Sequence, residues 1–158
     1  MKILFLDIDG VLNSVKSAMA RPFRGALIAD EDSLDLEACA RLQKLISQHK
    51  DLLIVVSSSW RQFHPLNALK DILEKHGIDK TRVIEYTPVI HNTIRGNEIK
   101  QWLDSQMLKS NFPVTSIAIL DDDADMGELM DYLVQTDVEV GLQDVDLDKI
   151  NEMFKKTY

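Results

Sequence analysis

The feature that most constrains the fold is a short apolar run that ends in two aspartates, within residues 2–13. Residues 3–6 are too few for an isolated helix and too apolar on both faces for a surface strand. They are typical of a central strand in a parallel sheet that is covered on both sides. Ligands bind beyond the carboxyl ends of such strands, where Asp7 and Asp9 follow. Two carboxylates this close repel each other unless a cation lies between them, although a plain strand-ending turn is the alternative.

The composition is that of a globular chain of ordinary size. The sequence has 158 residues, of which 45% are hydrophobic and 28% charged, so we expect one domain over residues 1–158 that buries its own core. No apolar run approaches the ~20 residues that span a bilayer, and the chain starts with a strand pattern rather than a signal peptide. The single Cys39 excludes an internal disulfide framework. These features favour a cytoplasmic location and no membrane partner.

The charge pattern bears on the class of partner. The net charge is −8 and the sequence has no basic run, which argues against a protein that coats nucleic acid. It does not exclude an enzyme that acts on a nucleic-acid end. Part of the acidity is concentrated in residues 121–125, where Asp121 and Asp122 would complete a Mg²⁺ site with Asp7 because Mg²⁺ prefers oxygen ligands.

Strands and helices alternate along the rest of the chain, which predicts an α/β fold. We expect a mainly parallel sheet of about five strands with helices on both faces. The three most apolar strands end in Asp7, Ser57 and Asp121, so these side chains should meet at one edge of the sheet. An irregular loop over residues 14–32, with a helical turn near 15–20, is also expected. The predicted strands are at residues 3–6, 52–56, 82–86, 116–120 and 132–135; the predicted helices run from a cap at Ser33 or Asp35 to about 49, and over 65–76, 95–108, 126–131 and 146–155.

The polar residues at the predicted edge suit phosphoryl transfer. Asp7 can act as a nucleophile that forms an acyl phosphate. Asp9 points to the same side if the chain stays extended, and can protonate a leaving oxygen and then deprotonate water. Ser57 can hydrogen-bond a phosphoryl oxygen, and the fixed charge of Arg95 suits a phosphate or the nucleophilic carboxylate. Phosphoryl transfer needs little beyond such positioning and charge neutralisation.

These motifs, in this order, resemble those of the haloacid-dehalogenase-like (HAD) superfamily. Residues 7–13, DIDGVLN, are similar to its first motif, the strand ending in Ser57 to its second, and Asp121-Asp122 to its fourth. More narrowly, the stretches SSSWR, RGNEIKQWL, ILDDDADM and LVQTDVEVGL resemble the HAD domain of Swiss Army Knife RNA-repair proteins and their stand-alone relatives. The resemblance spans nearly the whole chain. It implies a Rossmann-like sheet and a Mg²⁺-dependent phosphatase that works through an aspartyl-phosphate intermediate.

The resemblance also implies a role for each matching residue. Asp7 would be the nucleophile and a metal ligand. Asp9 would be the general acid and base, with its backbone carbonyl also binding the metal. Ser57 would bind phosphate, and Asp122, with Asp121 beside it, would be the metal ligand from the acidic cluster.

The third motif departs from the superfamily pattern. It is usually a lysine, and the matching stretch here offers Arg95 and Lys100. Arg95 is favoured because it stands at the helix start, where it can face the sheet edge. Ser58 and Arg61 follow the second motif and are candidates for binding the substrate, although Arg61 could equally pair with a carboxylate of the loop.

Several other polar residues have competing structural and functional interpretations. Arg21 and Arg24 are surface charges or phosphate contacts. Asn13 is expected to fix the loop after Gly10 through backbone hydrogen bonds rather than to touch substrate. Asp125 could support the metal site or be solvated.

The sequence therefore predicts a Mg²⁺-dependent phosphomonoesterase with a minimal cap or none, because no large insertion follows the first or second motif. An open site would suit a bulky phosphorylated substrate such as a nucleic-acid end or a nucleotide. A non-catalytic Mg²⁺- or phosphate-binding module of the same fold is the alternative. A phosphoacceptor receiver domain would need its acceptor aspartate after a middle strand, where this chain has Ser57. A sugar-nucleotide transferase would not carry its paired aspartates on the first strand.

Overall fold

The computed structural model describes residues 1–20, 34–109 and 113–158. The expectations for Arg21, Arg24 and a cap at Ser33 lie outside these residues. Within them the strands are β1 (Lys2–Leu6), β2 (Leu52–Val56), β3 (Val83–Tyr86), β4 (Ser116–Asp121) and β5 (Leu133–Gln135). The α helices are α1 (Val15–Met19), α2 (Leu36–Gln48), α3 (Leu66–Lys75), α4 (Arg95–Lys109) and α5 (Asp144–Met153). Short 3₁₀ turns cover Ser59–Gln62, Lys80–Arg82 and Gly127–Tyr132.

The five strands form one parallel sheet in the order β3-β2-β1-β4-β5, which confirms the predicted fold class. β1 is central, and its residues 3–6 are fully buried. In the register, Leu6 lies opposite Val56 on one side and Leu120 on the other, so these three strands reach the carboxyl edge at the same level.

Helices cover both faces of the sheet, as predicted. Leu4 and Leu6 point into a core that includes residues of α2, α3 and α5. Ile3 and Phe5 point the other way, into a smaller core beneath α4 and the turn Gly127–Tyr132. This alternation is what a strand buried on both faces requires.

Some element boundaries differ from the prediction, with local causes. The expected helix over residues 126–131 is a 3₁₀ turn, and the turns Ser59–Gln62 and Lys80–Arg82 were not predicted. α5 begins at Asp144 rather than at Asp146, because the Asp146 carboxylate accepts a hydrogen bond from the Gln143 N–H at 3.0 Å and so belongs to a capping box.

Among the described residues, α1 and α2 lie between β1 and β2, and α3 lies with two short 3₁₀ turns between β2 and β3. The expectation of a minimal cap falls partly on residues outside the described ranges and stays a prediction. None of the helices in the described part of the chain is both long and apolar enough to cross a membrane.

The two chain ends lie together at the amino edge of the sheet. The Met1 ammonium donates to the Pro113 carbonyl oxygen at 2.9 Å, and the Thr115 N–H donates to the Met1 carbonyl oxygen at 2.9 Å. The Tyr158 N–H in turn donates to the Thr115 carbonyl oxygen at 2.9 Å. Asp7 is at the opposite end of β1.

Candidate active site

A row of buried polar residues runs along the carboxyl edge of the sheet. The residue after a strand continues the pairing, since its N–H donates to the neighbouring strand at 2.7–2.9 Å. Each polar residue of the row is at most 5% exposed. The bonds join Thr87 to Val56, Ser57 to Leu6, Asp7 to Leu120, and Thr136 to Asp121.

Three carboxylates converge at the centre of this edge. One oxygen from each of Asp7, Asp121 and Asp122 lies within 4.8 Å of the others. Burial raises the pKa of Asp7 and of Asp122. Burial, reinforced by the charge of Asp7, raises the pKa of Asp121 to about 7. The cluster is therefore costly to ionise without a further positive charge.

The donor set fits a hard divalent cation such as Mg²⁺. All three side chains offer carboxylate oxygens, and Asp121 Oδ2 is buried with no hydrogen-bond partner among the described residues. Gly10 lets Asp122 join the cluster: a Cβ at this position would lie 2.4 Å from Asp122 Cγ, and its φ of +70° is in the left-handed region. The glycine therefore permits the close approach of the first and fourth motifs.

Arg95 supplies positive charge from the start of α4. Its guanidinium lies 3.6 Å from Asp7 Oδ2 and 3.8 Å from Asp121 Oδ2. Burial lowers the pKa of Arg95, but the surrounding carboxylates, with Asp7 and Asp121 foremost, together raise it above its usual value. Lys100 is not brought to the cluster, because its ammonium pairs with Glu128 on the exposed side of α4. Of the two third-motif candidates, only Arg95 reaches Asp7.

The loop after β4 holds the first turn of α4 in place. Asp125 Oδ2 accepts a hydrogen bond from the Arg95 N–H at 3.0 Å, and the Asp125 carbonyl oxygen accepts one from the Gly96 N–H at 3.2 Å. A Cβ on Gly96 would lie only 2.0 Å from the Met126 carbonyl oxygen. Arg95 is thus oriented by a tight backbone contact with the same loop that carries Asp121 and Asp122.

The second motif presents two serines with different surroundings. Ser57 is fully buried, and its hydroxyl has no hydrogen-bond partner within the described parts of the chain. The Ser58 hydroxyl accepts from the Trp60 N–H at 3.3 Å, and it works against the rise in the pKa of the neighbouring Asp7 carboxyl. Ser57 therefore has unused capacity for a ligand, whereas Ser58 is engaged by the protein.

Arg61 is committed to structure. Its guanidinium donates to the Ser58 carbonyl oxygen at 2.6 Å and pairs with Glu98 of α4. Its side chain is 2% exposed. These contacts support a structural role, although the carboxylate comes from α4 and not from the loop as expected, and they tie the turn after β2 to α4.

Asp9 leaves the line of β1. The N–H groups of Val11 and Leu12 both donate to the Ile8 carbonyl oxygen, so the chain turns here instead of staying extended. The Asp9 carboxylate accepts one hydrogen bond from Asn13 Nδ2 at 2.7 Å and another from Trp60 Nε1 at 2.9 Å. The orientation of the Asp9 side chain therefore depends on Asn13, in the first motif, and on Trp60, just after the second motif.

A polar groove of about 270 Å³ opens beside Arg95. Its walls are the turn Ser59–Gln62 and residues 89–93, with Asp125 also in the lining. Residues 89–93 were not predicted to contribute, since they belong to an irregular connection without a motif.

Sequence reasoning missed Thr87, Thr136 and Trp60. Thr87 and Thr136 follow their strands directly, so the rule that identified Asp7, Ser57 and Asp121 would have found them had it been applied to the weaker strands. The Thr87 hydroxyl is buried and has no partner in the described regions. The signal for Trp60 was its position just after the second motif, because a buried indole N–H needs an acceptor.

Comparisons with known proteins agree with this architecture. A family model described as the HAD domain in Swiss Army Knife RNA repair proteins matches residues 3–147. Among curated proteins, none is similar enough to count as a match. The solved structure of the HAD domain of effector protein Lem4 from Legionella pneumophila superposes with a TM-score of 0.58 at 19% identity, covering 99% of this chain and 95% of that one. Its inactive mutant gives a TM-score of 0.57 at 20% identity, covering 99% and 94% of the two chains. At 19% and 20% sequence identity, the similarity to these two structures is evidence for the fold alone.

Proposed function

Because the chain belongs to the family of HAD domains found in Swiss Army Knife RNA repair proteins, we propose that it is a Mg²⁺-dependent phosphomonoesterase whose nucleophile is Asp7. The observation that carries the proposal is the convergence of three carboxylates and one guanidinium at the carboxyl edge of the central strands. A phosphoryl group needs a nucleophile and a concentration of positive charge, and this edge offers residues for both.

In the first step, Asp7 Oδ2 attacks phosphorus and the ester P–O bond breaks. Asp9 gives its proton to the departing oxygen, so the leaving group departs as an alcohol. In the second step, water attacks the phosphorus of the aspartyl phosphate while Asp9 takes a proton from that water. The bond between phosphorus and Asp7 then breaks, and inorganic phosphate and the free carboxylate result.

Other residues would hold the phosphoryl group during these steps. The Ser57 hydroxyl has no hydrogen-bond partner in the described part of the chain and can donate to a phosphoryl oxygen. Arg95 can bind a second oxygen, since its Nη1 is buried without a hydrogen-bond partner among the described residues. When bound by Asp7, Asp121, Asp122 and the Asp9 carbonyl oxygen, Mg²⁺ would supply the charge that lets a carboxylate approach an anionic ester.

The proposed substrate class is a phosphorylated nucleic-acid end or a nucleotide. The support is the description of the family, which places such domains in RNA repair proteins. The minimal cap expected from the short insertions in the sequence would also suit a large substrate. The net charge of −8 counts mildly against a nucleic-acid substrate, and it argues against binding along a strand.

The test is phosphate release from p-nitrophenyl phosphate and from 5′- and 3′-phosphorylated oligonucleotides. Each is assayed with Mg²⁺, with EDTA, and with the isosteric variant Asp7→Asn. We expect release that requires Mg²⁺, is abolished by Asp7→Asn, and is faster for the oligonucleotides. No release above the Asp7→Asn background, from folded protein that binds Mg²⁺, would favour the non-catalytic module.

A further inference from the structure

We propose that Trp60 is a positioning residue for Asp9, the general acid and base of the first motif. Trp60 lies just after the second motif, and its indole N–H fixes the orientation of the Asp9 carboxylate. The inference rests on the proposed phosphatase function. Trp60 Nε1 donates to Asp9 Oδ2 at 2.9 Å, across 51 residues of sequence. Asn13 Nδ2 donates to the other oxygen, Oδ1, at 2.7 Å. Both oxygens of the carboxylate are therefore held by N–H donors.

The two donors are themselves fixed. Asn13 Oδ1 accepts from the Gly10 N–H at 2.9 Å, which orients the amide so that its nitrogen faces Asp9. Trp60 is 5% exposed and packs into the larger core. Its backbone carbonyl oxygen accepts from the N–H groups of Phe63 and His64 at 3.0 and 2.9 Å. Neither donor can follow Asp9 if the carboxylate turns away.

This arrangement has a chemical consequence for the first step of the reaction. Asp9 must direct a proton at the leaving oxygen, and the two N–H donors fix the direction in which its carboxyl group points. Trp60 thus acts on the proton transfer rather than on phosphate binding. A good leaving group departs without a proton, whereas an alkoxide needs one. The contribution of Trp60 should therefore depend on the basicity of the leaving group.

The first test compares kcat/KM of Trp60→Phe for p-nitrophenyl phosphate and for an alkyl phosphate such as glycerol phosphate. The variant keeps an aromatic ring and removes the N–H. We expect the ratio of alkyl to aryl kcat/KM to fall about tenfold or more, a part of the ~10²–10⁴-fold effect of general acid–base catalysis. A purely structural role would lower both values by the same factor. An unchanged or increased ratio would overturn the proposal.

Trp102→Phe is the matched control. The Trp102 indole N–H also donates to a carboxylate, at 2.7 Å from Glu85 Oε2, but its side chain packs in the smaller core away from Asp9. The same kind of bond is lost in both variants. We expect Trp102→Phe to leave the ratio of alkyl to aryl kcat/KM unchanged, whatever it does to stability.

A second readout does not require activity. The chain has two tryptophans, so a ¹⁵N-labelled sample gives two indole N–H signals, which Trp60→Phe assigns. In Asp9→Asn a neutral amide replaces the charged acceptor, and we expect the Trp60 signal to move upfield while the Trp102 signal stays. If neither signal moves, the Trp60–Asp9 bond is wrong even in an active phosphatase. If the signal moves but no substrate is hydrolysed, the proposed function has failed and the bond stands.

Discussion

Arg95 supplies positive charge to the acidic cluster from the start of α4. It lies within 4 Å of both Asp7 and Asp121, and both carboxylates are buried. A superfamily lysine would offer one ammonium at this position, whereas the guanidinium can contact two carboxylates at once.

We expect Arg95→Ala to lower kcat by about 10²–10³-fold, as for the loss of one preorganised electrostatic group. Arg95→Lys should recover part of the loss, since the charge remains. The control is Lys100→Ala on the same helix, whose ammonium pairs with Glu128 in solvent and should not affect kcat. Steady-state phosphate release measures all three, and equal losses in Arg95→Ala and Lys100→Ala would contradict the assignment.

Residues at strand ends could be predicted from the sequence, and residues placed by turns could not. Asp7, Ser57 and Asp121 follow from one rule, that parallel strands end on one edge. The position of Asp9 depends on a turn at Ile8, and the capping role of Asp125 on how α4 meets the loop after β4. Those contacts join segments whose relative placement no local pattern encodes.

At the scale of elements, the first turn of α4 is the part most sensitive to small changes. Gly96 stands where any side chain would meet the Met126 carbonyl oxygen at 2.0 Å. Met126 directly follows the acidic residues 121–125. A shift of the Met126 carbonyl oxygen would therefore also displace the segment that carries Asp121 and Asp122.

We expect Gly96→Ala to lower both the melting temperature and kcat. Alanine is intrinsically favoured over glycine in a helix by about 1 kcal/mol, so a loss of stability would report the clash. Displacement of Arg95 by about 1 Å could cost roughly 10²-fold in rate. Asn97→Ala is the control, since Asn97 is exposed on the same turn. Unchanged melting and kcat in Gly96→Ala would show that the contact is loose.

The buried pair of Arg61 and Glu98 connects the turn after β2 to α4. Glu98→Ala leaves the Arg61 guanidinium buried without its carboxylate, which should lower the free energy of unfolding by about 3–5 kcal/mol. The double variant Arg61→Met with Glu98→Leu should be more stable than Glu98→Ala, because neither charge remains. Denaturant unfolding measures both. A Glu98→Ala protein as stable as the parent would contradict the structural role given to Arg61.

At the scale of the whole molecule, the acidic cluster links stability to pH. The pKa of Asp121 is raised to about 7 in the folded chain, against 3.8 for the ordinary group. The folded state therefore binds a proton that the unfolded state has released. In EDTA, this contribution to the free energy of unfolding is fully present below about pH 4 and is lost as the pH rises to about 7.

We expect thermal melts in EDTA to show this decline, and Asp121→Asn to flatten it. Mg²⁺ and protons compete for the same oxygens, so Mg²⁺ should raise the melting temperature more at pH 8 than at pH 5. The difference between the parent and Asp121→Asn isolates this group from the other carboxylates. A parent protein whose stability rises more steeply with pH than that of Asp121→Asn would contradict the raised pKa.

The predicted fold agrees with the structure because its strands are strongly patterned. Five parallel strands with β1 at the centre follow from apolar runs that alternate with helical periods. The order of the strands could not be predicted from the sequence, because it depends on tertiary contacts. The three 3₁₀ turns were not predicted either, because they are too short to show a hydrophobic period. That residues 1–158 form one domain stays a prediction.

The meeting of the two chain ends beside Thr115 determines how the molecule can be attached to anything else. The ends lie at the amino edge, about 20 Å from Asp7, because six residue steps of ~3.3 Å separate Met1 from Asp7 along β1. A module fused at either end is tethered behind the sheet, and the reactive edge stays accessible from the front. For the same reason, molecules immobilised on a support through either end would all present Asp7 outward.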